Sequence, residues 1–207
     1  MKLTPDLILA SASPRRRELL ERMGLVLRIE PVDVDETPAA GERARDYAER
    51  LAGEKGDAAL ARLGRQAAFL PVLTADTVVV LGADILGKPA DREQAAAMLR
   101  RLAGRRHEVM TAYRAHFGGR MVARVVSTGV SFRSLDPAEI QAYLDSGEWQ
   151  GKAGGYAIQG IAGAFAIEVR GSFSNVVGLP LAEVIADLRA LEALPAYPRP
   201  GFGGGAR

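Results

Sequence analysis

The stretch HEVMTAYRAHFGGRMVARVVSTGVSF, residues 107–132, decides what kind of sheet this chain can build. Two long segments near His107–Phe117 and Met121–Phe132 are rich in Val, Thr and aromatic residues, and the pair Gly118-Gly119 joins them. Such residues favour extended strands, and two glycines are a favoured two-residue hairpin turn. We therefore expect a long antiparallel hairpin in the middle of the sequence.

On either side of this hairpin, short apolar segments alternate with helical patterns. The predicted strands are Leu7–Ala10, Leu25–Glu30, Val72–Leu81, Tyr156–Ile158 and Ala164–Val169. Helices are predicted after Ser13-Pro14, over Arg43–Leu63, from Asp91, from Asp136 and over the apolar positions Leu181 to Leu191. This alternation, together with one long hairpin, predicts an α/β fold with a mixed sheet flanked by helices.

The composition is that of a soluble globular protein, with 48% apolar and 25% charged residues among 207. The absence of Cys excludes disulfides, thiolate catalysis and Cys-ligated zinc, and two His argue against a His-rich metal site. A net charge of +2, with no basic stripe interleaved with aromatics, gives no support for a nucleic-acid partner. The length suits one domain, predicted over 1–194, followed by a flexible Pro/Gly-rich tail over 195–207.

Neither end of the chain predicts a membrane or export signal. The apolar stretch Leu7 to Ala10 has only four residues and precedes an Arg cluster, the reverse of a signal peptide. No window approaches the roughly 18 apolar residues of a membrane span. We expect a cytoplasmic protein.

The basic residues are unevenly chosen. Only four of the 27 are Lys, namely Lys2, Lys55, Lys88 and Lys152. Arg is the bidentate ligand for phosphate and carboxylate, whereas Lys supplies a compact point charge whose pKa is easily shifted. The three internal lysines therefore mark places where this chain departs from its own preference.

The first candidate site is Ser11-Ala12-Ser13-Pro14-Arg15-Arg16-Arg17, between a predicted strand and a predicted helix. The N–H groups and the dipole at a helix N-terminus favour an anion, and hydroxyls and guanidiniums can add charge-assisted hydrogen bonds. Three arginines in a first turn oppose the dipole, which makes sense beside a phosphate. The alternative is a capping serine followed by solvated arginines.

Two acidic positions are the next candidates. The loop Asp33-Val34-Asp35-Glu36 could hold Mg²⁺ through one or two carboxylates, although such loops are usually only solvated. Asp76 stands in Thr74-Ala75-Asp76-Thr77-Val78, where an acid weakens a strand and is costly if buried without a partner. Local violations of this kind concentrate at functional sites. The alternative is a turn between two strand pieces.

The remaining candidates carry the internal lysines. Lys55 follows Glu54 on a predicted helix and could simply form a surface pair. Gly82 to Lys88 matches a P-loop, but Pro89 stands where that motif needs a hydroxyl, so we reject the P-loop and keep Lys88 as a phosphate candidate. Lys152 opens a Gly-rich segment in which Gln159 could read a nucleobase edge, or could lie exposed on a hairpin.

Taken together, these motifs resemble the Maf family of nucleoside triphosphate pyrophosphatases. The matching segments run in family order over about residues 7–190, and they are LASASPRRRELL (9–20), DETP (35–38), RLAGEK (50–55), ADTVV (75–79), GKP (87–89), MLRRLAGRRHEVMTA (98–112), GKAGGYAIQG (151–160) and VVGLPL (176–181). The resemblance implies a mixed α/β fold of two lobes with a central cleft, related to inosine triphosphate pyrophosphatases. Gly53 departs from the family pattern, in which a larger residue is common.

The resemblance also implies an activity and its residues. It implies hydrolysis of a nucleoside triphosphate to the monophosphate and pyrophosphate with Mg²⁺ or Mn²⁺. The family's catalytic acid falls on Asp76 and its other metal-linked carboxylate on Glu36. Its phosphate-handling positions fall on Ser11, Ser13, Arg16, Lys55 and Lys88.

Three positions that separate branches of the family are here Arg15, Thr77 and Gln159. This set resembles the branch acting on dTTP and UTP, with modified pyrimidine nucleotides as further candidates. The branch acting on 7-methyl-GTP typically has Trp, Gln and Glu instead and is the first alternative. A non-catalytic nucleotide-binding regulator of septum formation is the second. A homodimer is suggested by the resemblance alone.

Overall fold

One mixed sheet organises the molecule. The computed structural model describes residues 4–194 and Tyr197. Its strands are β1 (Leu7–Leu9), β2 (Leu27–Ile29), β3 (Val72–Leu81), β4 (Asp84–Leu86), β5 (Arg106–Phe117), β6 (Arg120–Phe132) and β7 (Ala166–Arg170). They pair in the order β2-β1-β3-β5-β6-β7, with β4 added to β3. Because β1 is parallel to β2 and β3 while the other pairs are antiparallel, the predicted mixed sheet is confirmed.

Helices flank this sheet. The α-helices of the described part are α1 (Pro14–Arg22), α2 (Ala44–Leu63), α3 (Arg92–Leu102), α4 (Pro137–Asp145), α5 (Phe173–Val177) and α6 (Leu181–Ala190). Short 3-10 helices span Gly64–Ala68, Ala153–Gly155 and Ile161–Phe165. The α/β class is therefore confirmed. No helix within the described residues is both long and apolar enough to cross a membrane.

The local signals in the sequence account for most element boundaries. Ser13 caps α1, Asp91 caps α3, and Asp136 forms a capping box with Glu139 at the start of α4, which satisfies N–H groups that a helix leaves unpaired. The hairpin of β5 and β6 turns at Gly118 and Gly119, whose φ angles of 58° and 76° suit the tight turn.

The side chains of β3 alternate between two apolar layers. Val78 and Val80 face α2 and pack in one cluster with Leu51, whereas Val79 belongs to the main core together with Leu99 of α3. Successive residues of a strand point to opposite faces, so β3 is covered on both sides. A polar side chain in the middle of this strand is consequently enclosed unless a cleft opens beside it.

The strand predicted at Tyr156–Ile158 is wrong. Gly154, just before it, has a φ of 68°, and a Cβ added there would lie only 3.0 Å from Val79 Cγ1. Its N–H donates to Gly87 O at 3.0 Å, so this backbone is bound to the segment after β4 as a loop. The later strand is confirmed as β7, whereas α5, which Ser172 caps, was not predicted. Apart from Tyr197, the predicted tail over 195–207 lies outside the described residues, as does Lys2.

A buried carboxylate ties α6 to the hairpin. Asp187 accepts the Tyr113 hydroxyl at 2.5 Å and two guanidinium hydrogen bonds from Arg124 at 2.9 and 2.7 Å. Burial acts to raise the pKa of Asp187, but Arg124 and Tyr113 outweigh it and hold the pKa below the ordinary value of 3.8. The ionised form of Asp187 is thus favoured in the folded state.

We expect Asp187→Asn to lower the free energy of unfolding at pH 7 by about 1–3 kcal/mol, because charge-assisted hydrogen bonds are lost. Since the folded-state pKa is depressed, this contribution is full above the unfolded pKa and is lost as the pH falls through the folded one. Urea unfolding of both proteins between pH 7 and pH 3 tests the expectation. A stability gap that does not narrow below about pH 4 would contradict it.

Candidate active site

A cleft of about 330 Å³ opens beside the middle of β3. Its walls come from the start of α1, the segment 150–159 and the turn that follows α5. Among the residues predicted at the site, those lining the cleft are Ser13, Arg15, Arg16, Asp76, Thr77, Lys88 and Gln159. The other three contact this wall through hydrogen bonds, Ser11 to Arg16, Glu36 to Lys88 and Lys55 to Asp76. All ten predicted residues therefore meet at one place.

At the base of the cleft, a buried ammonium bridges the two predicted carboxylates. Lys55 Nζ donates to Asp76 Oδ1 at 2.6 Å and to Glu36 Oε1 at 2.8 Å, and only 9% of Lys55 is exposed. Lys88 Nζ donates to the other Glu36 oxygen at 2.7 Å. We call Glu36, Lys55, Asp76 and Lys88 the carboxylate–lysine cluster. The surface-pair alternative for Lys55 is wrong, since its partners lie on other elements.

The close approach of α2 to the sheet delivers Lys55 to this position. A Cβ added at Gly56 would lie 3.4 Å from both Thr74 Oγ1 and His116 Nε2, at van der Waals contact, so the helix backbone lies close to the sheet here. Thr74 Oγ1 also donates to Ala52 O at 3.0 Å, which ties the strand to the helix. This packing of α2 on the sheet brings Lys55 within hydrogen-bonding distance of Asp76.

Asp76 and Glu36 reach the cluster from very different backbones. Asp76 lies within the continuous strand β3, opposite Ala112 of β5, so the alternative of a turn between two strand pieces is wrong. Glu36 lies on the loop before α2, where Tyr47 donates its hydroxyl to Glu36 O at 2.7 Å. Partial burial acts to raise the pKa of Glu36, but the hydrogen bonds from Lys55 and Lys88 outweigh it and bring the pKa to about 2. Glu36 is therefore ionised at any pH near neutrality.

Arg16 closes the side of the cleft and is itself almost fully buried. Its guanidinium donates to Gly178 O at 2.8 Å, to Ser11 Oγ at 3.1 Å and to Thr77 Oγ1 at 3.0 Å. Thr77 also shares a hydrogen bond with Thr111. Burial lowers the pKa of Arg16, while the fields of Asp76 and Glu36 oppose this effect. Arg16 thus joins α1, β3 and the turn after α5 into one wall.

The neighbouring arginines differ from Arg16. Arg15 Nε donates to Val177 O at 3.2 Å, which keeps its guanidinium on the cleft wall. Arg17 instead pairs with Glu21 on the exposed face of α1. The solvated alternative therefore applies to Arg17, whereas Arg15 and Arg16 face the cleft.

The segment that carries Gln159 is fastened by residues that sequence reasoning missed. His107 Nε2 and the Tyr156 hydroxyl are hydrogen-bonded at 2.8 Å, both residues being buried. Ala157 N donates to the Tyr143 hydroxyl at 3.2 Å. Burial lowers the pKa of His107 to about 4, so this ring is neutral at physiological pH. The sequence gives little signal for this contact, since His107 stands between Arg106 and Glu108 at the start of a strand pattern.

Sequence reasoning also missed Asn175, which supports the cleft wall at Thr77 through Thr111. Its buried amide donates to Val109 O and to Thr128 Oγ1, both at 3.0 Å, and its backbone carbonyl accepts the Thr111 hydroxyl. Thr111 in turn shares a hydrogen bond with Thr77, which accepts from Arg16, so the network extends to the Arg16 guanidinium.

No group of three or more His, Cys, Asp or Glu suited to a metal occurs within residues 4–194 and 197.

The sequence is similar to known proteins over most of its length. A family model described as "Maf-like protein" matches residues 6–191. A relative named dTTP/UTP pyrophosphatase from Cereibacter sphaeroides is 53% identical over 192 residues, covering 92% of this chain and 97% of the relative. Proteins of the same name from Anaeromyxobacter dehalogenans and Mesorhizobium japonicum are 53% and 47% identical, each covering 90% of this chain and 94% and 91% of their own length.

The His107–Tyr156 hydrogen bond can be tested by a double-mutant cycle. We expect His107→Phe and Tyr156→Phe each to lower the free energy of unfolding by about 1–3 kcal/mol, since each leaves a buried polar atom unpaired. The double variant removes both polar atoms and should lose less than the sum of the two single variants. Urea unfolding of the four proteins measures the coupling, and strictly additive losses would show that the hydrogen bond contributes nothing.

Proposed function

The chain belongs to the Maf family, and on that premise we propose that it hydrolyses dTTP and UTP to the monophosphate and pyrophosphate. The observation that carries the proposal is the buried Lys55 bridge between Asp76 and Glu36 at the base of the cleft. A protein that only bound nucleotide would need cations but not two carboxyl groups held beside them. Modified pyrimidine nucleotides belong to the same proposed substrate class.

The two acids suit a divalent metal that arrives together with the nucleotide. Mg²⁺ is usually held by one or two carboxylates plus substrate phosphates and waters. Asp76 and Glu36 supply two carboxylates, and no third acidic or imidazole ligand gathers beside them in the described part of the chain. Such a pair fits a magnesium or manganese ion shared with the triphosphate. When bound, the ion would neutralise phosphate charge.

Asp76 is the proposed general base. One of its oxygens accepts from Lys55, and the residue lines the cleft where the triphosphate would enter. A carboxylate held in this way can orient a water and take its proton as the water oxygen attacks the α-phosphorus. Glu36 stays ionised beside it because two ammonium groups stabilise its charge.

The cations have divided tasks in this proposal. Lys55 is enclosed and holds both acids, whereas the side chain of Lys88 is 55% exposed and can turn from Glu36 to a phosphate oxygen. Lys88, Lys55 and Arg16 together stabilise the charge that develops on the pyrophosphate leaving group. Positioning and electrostatic stabilisation account for most catalysis in phosphoryl transfer.

The proposed base pocket lies at Gln159, Arg15 and Thr77. An amide can donate and accept at once, which suits the polar edge of uracil or thymine. Thr77 acts by holding Arg16, which shapes the same wall. A purine would leave these polar groups unpaired and should react more slowly.

The decisive experiment follows pyrophosphate release from dTTP, UTP and 7-methyl-GTP in parallel, with Mg²⁺ or Mn²⁺. Faster turnover of dTTP and UTP than of 7-methyl-GTP supports the proposal. The reverse order would assign the chain to the 7-methyl-GTP branch. Nucleotide binding without pyrophosphate release would favour the regulatory alternative.

We expect Asp76→Asn to lower kcat on dTTP by about 10²-fold or more, the usual contribution of a general base. The amide keeps the size of the side chain but cannot take a proton from water. Asn also weakens the hold on Lys55, so thermal unfolding of the variant must be measured alongside its kinetics. Near-normal turnover by a folded Asp76→Asn protein would remove Asp76 from the role of base.

Replacing the lysines by arginine separates charge from shape. We expect Lys55→Arg to impair turnover more than Lys88→Arg, because a planar guanidinium does not fit the enclosed space between two carboxylates as a compact ammonium does. Steady-state kinetics on dTTP and UTP for both variants provide the test. Wild-type kinetics in both would show that the choice of lysine at these positions is incidental.

A further inference from the structure

The positive charge of the cleft is unevenly distributed. In the carboxylate–lysine cluster, the two ammonium groups balance the two carboxylates, so the cluster is neutral by itself. The unbalanced cations on the cleft wall are Arg15, Arg16 and Lys152. An incoming anion therefore meets uncompensated positive charge away from the cluster, on the walls formed by α1 and the segment 150–159.

Arg15 and Lys152 are the two of these cations with the most unused N–H groups. In the part of the chain that the structure describes, Arg16 donates to three acceptors, whereas Arg15 donates only to Val177 O and Lys152 only to Gln150 O at 3.0 Å. Within residues 4–194 and 197, neither Arg15 nor Lys152 has a carboxylate within 4.0 Å.

Both cations stand on the partly buried wall of one cleft. Burial lowers the pKa of Lys152, and the field of Arg15 lowers it further. Burial likewise lowers the pKa of Arg15, as does the field of Arg16. The field of Glu148 acts to raise the pKa of Lys152, and the Glu148 carboxylate accepts the Ile161 N–H at 2.9 Å. Like charges on one wall repel each other, and an anion bound between them would relieve that repulsion.

We propose that Arg15 and Lys152 form a second anion subsite of the cleft, separate from the carboxylate–lysine cluster, which takes an anionic oxygen group of the nucleotide. Lys152 is the specificity-determining residue that this assignment adds. The inference rests on the proposed function, because it takes the ligand of the cleft to be a nucleotide. Arg15 supplies a planar fork and Lys152 a movable point charge, a combination suited to a group with several charged oxygens.

Two parts of a nucleotide could supply this group. One is the polyphosphate, if its far end reaches across the cleft to the wall of α1. The other is a carboxylate carried by the pyrimidine ring, since the pair shares the cleft with Gln159. The shared chemistry is a compact anion with at least two oxygens, and separate probes distinguish the sources.

The experiment compares Lys152→Met with Lys152→Arg and with Arg100→Met, a control that removes one exposed positive charge outside the cleft wall. Inorganic pyrophosphate is titrated into each protein by calorimetry without nucleotide. The kcat/KM is then measured for UTP, for UTP with a carboxylate at C5 of the base, and for its neutral methyl ester. Lys152 donates only to one backbone carbonyl, so the variants should fold, which thermal unfolding verifies.

The proposal predicts that Lys152→Met loses about tenfold or more, the effect of one charge-assisted hydrogen bond, while Lys152→Arg and Arg100→Met stay near wild type. A loss in pyrophosphate affinity identifies the phosphates as the ligand. A loss confined to the carboxylate nucleotide, with its ester unaffected, identifies a substituent on the base.

Lys152→Met matching Arg100→Met on every probe would overturn the subsite. So would Lys152→Arg losing as much as Lys152→Met, because charge would then not be the cause. Failure of the proposed function is a separate result, in which wild-type protein releases no pyrophosphate from any nucleotide. Calorimetry needs no turnover, so titrating pyrophosphate and the carboxylate nucleotide into each protein judges the subsite in either case.

Discussion

The arrangement of the site depends on one buried ammonium. Lys55 is enclosed between Asp76 and Glu36, and the buried Asp76 in turn needs Lys55, because an uncompensated charge in a buried site is strongly destabilising. Placing Lys55 between the two acids also constrains the backbone. The helix α2 must lie close to β3 at Gly56, and the loop before α2 must be held by Tyr47. The loop before α2, the helix α2 and the strand β3 are thereby held together at one point.

Local physical chemistry made much of the fold predictable. The capping side chains, the Gly-Gly hairpin turn and the β-rich run of β3 act over a few residues, so their signals are present in short stretches of sequence. Asp76 drew attention because an acid conflicts with the strand around it, and that conflict is resolved only by Lys55, which lies 21 residues away. The same kind of reasoning misplaced a strand at 156–158, because the contacts of Gly154 with Val79 and Gly87 are tertiary.

The site residues were harder to find where their partners are distant in sequence. Arg16 reads as one of three equivalent arginines, yet it is bonded to Gly178, which lies 162 positions further along the chain. His107 carries no local signal for its bond to Tyr156. The internal lysines were easier to find, because the rarity of Lys in this chain can be recognised from the sequence without any knowledge of the fold. The ten family-matched positions gather at one cleft because the sheet places β1, β3 and the hairpin side by side.

The fastening of the segment 151–160 has a consequence for how this scaffold can diverge. Its anchors are the Gly154 N–H to Gly87, the Tyr156 hydroxyl to His107 and the Ala157 N–H to Tyr143, all before Gln159. The side chain at 159 is exposed and bears none of this anchoring. Mutations there can sample new ligand preferences without first unfolding the loop, so the reactive centre can stay constant while selectivity drifts between paralogues.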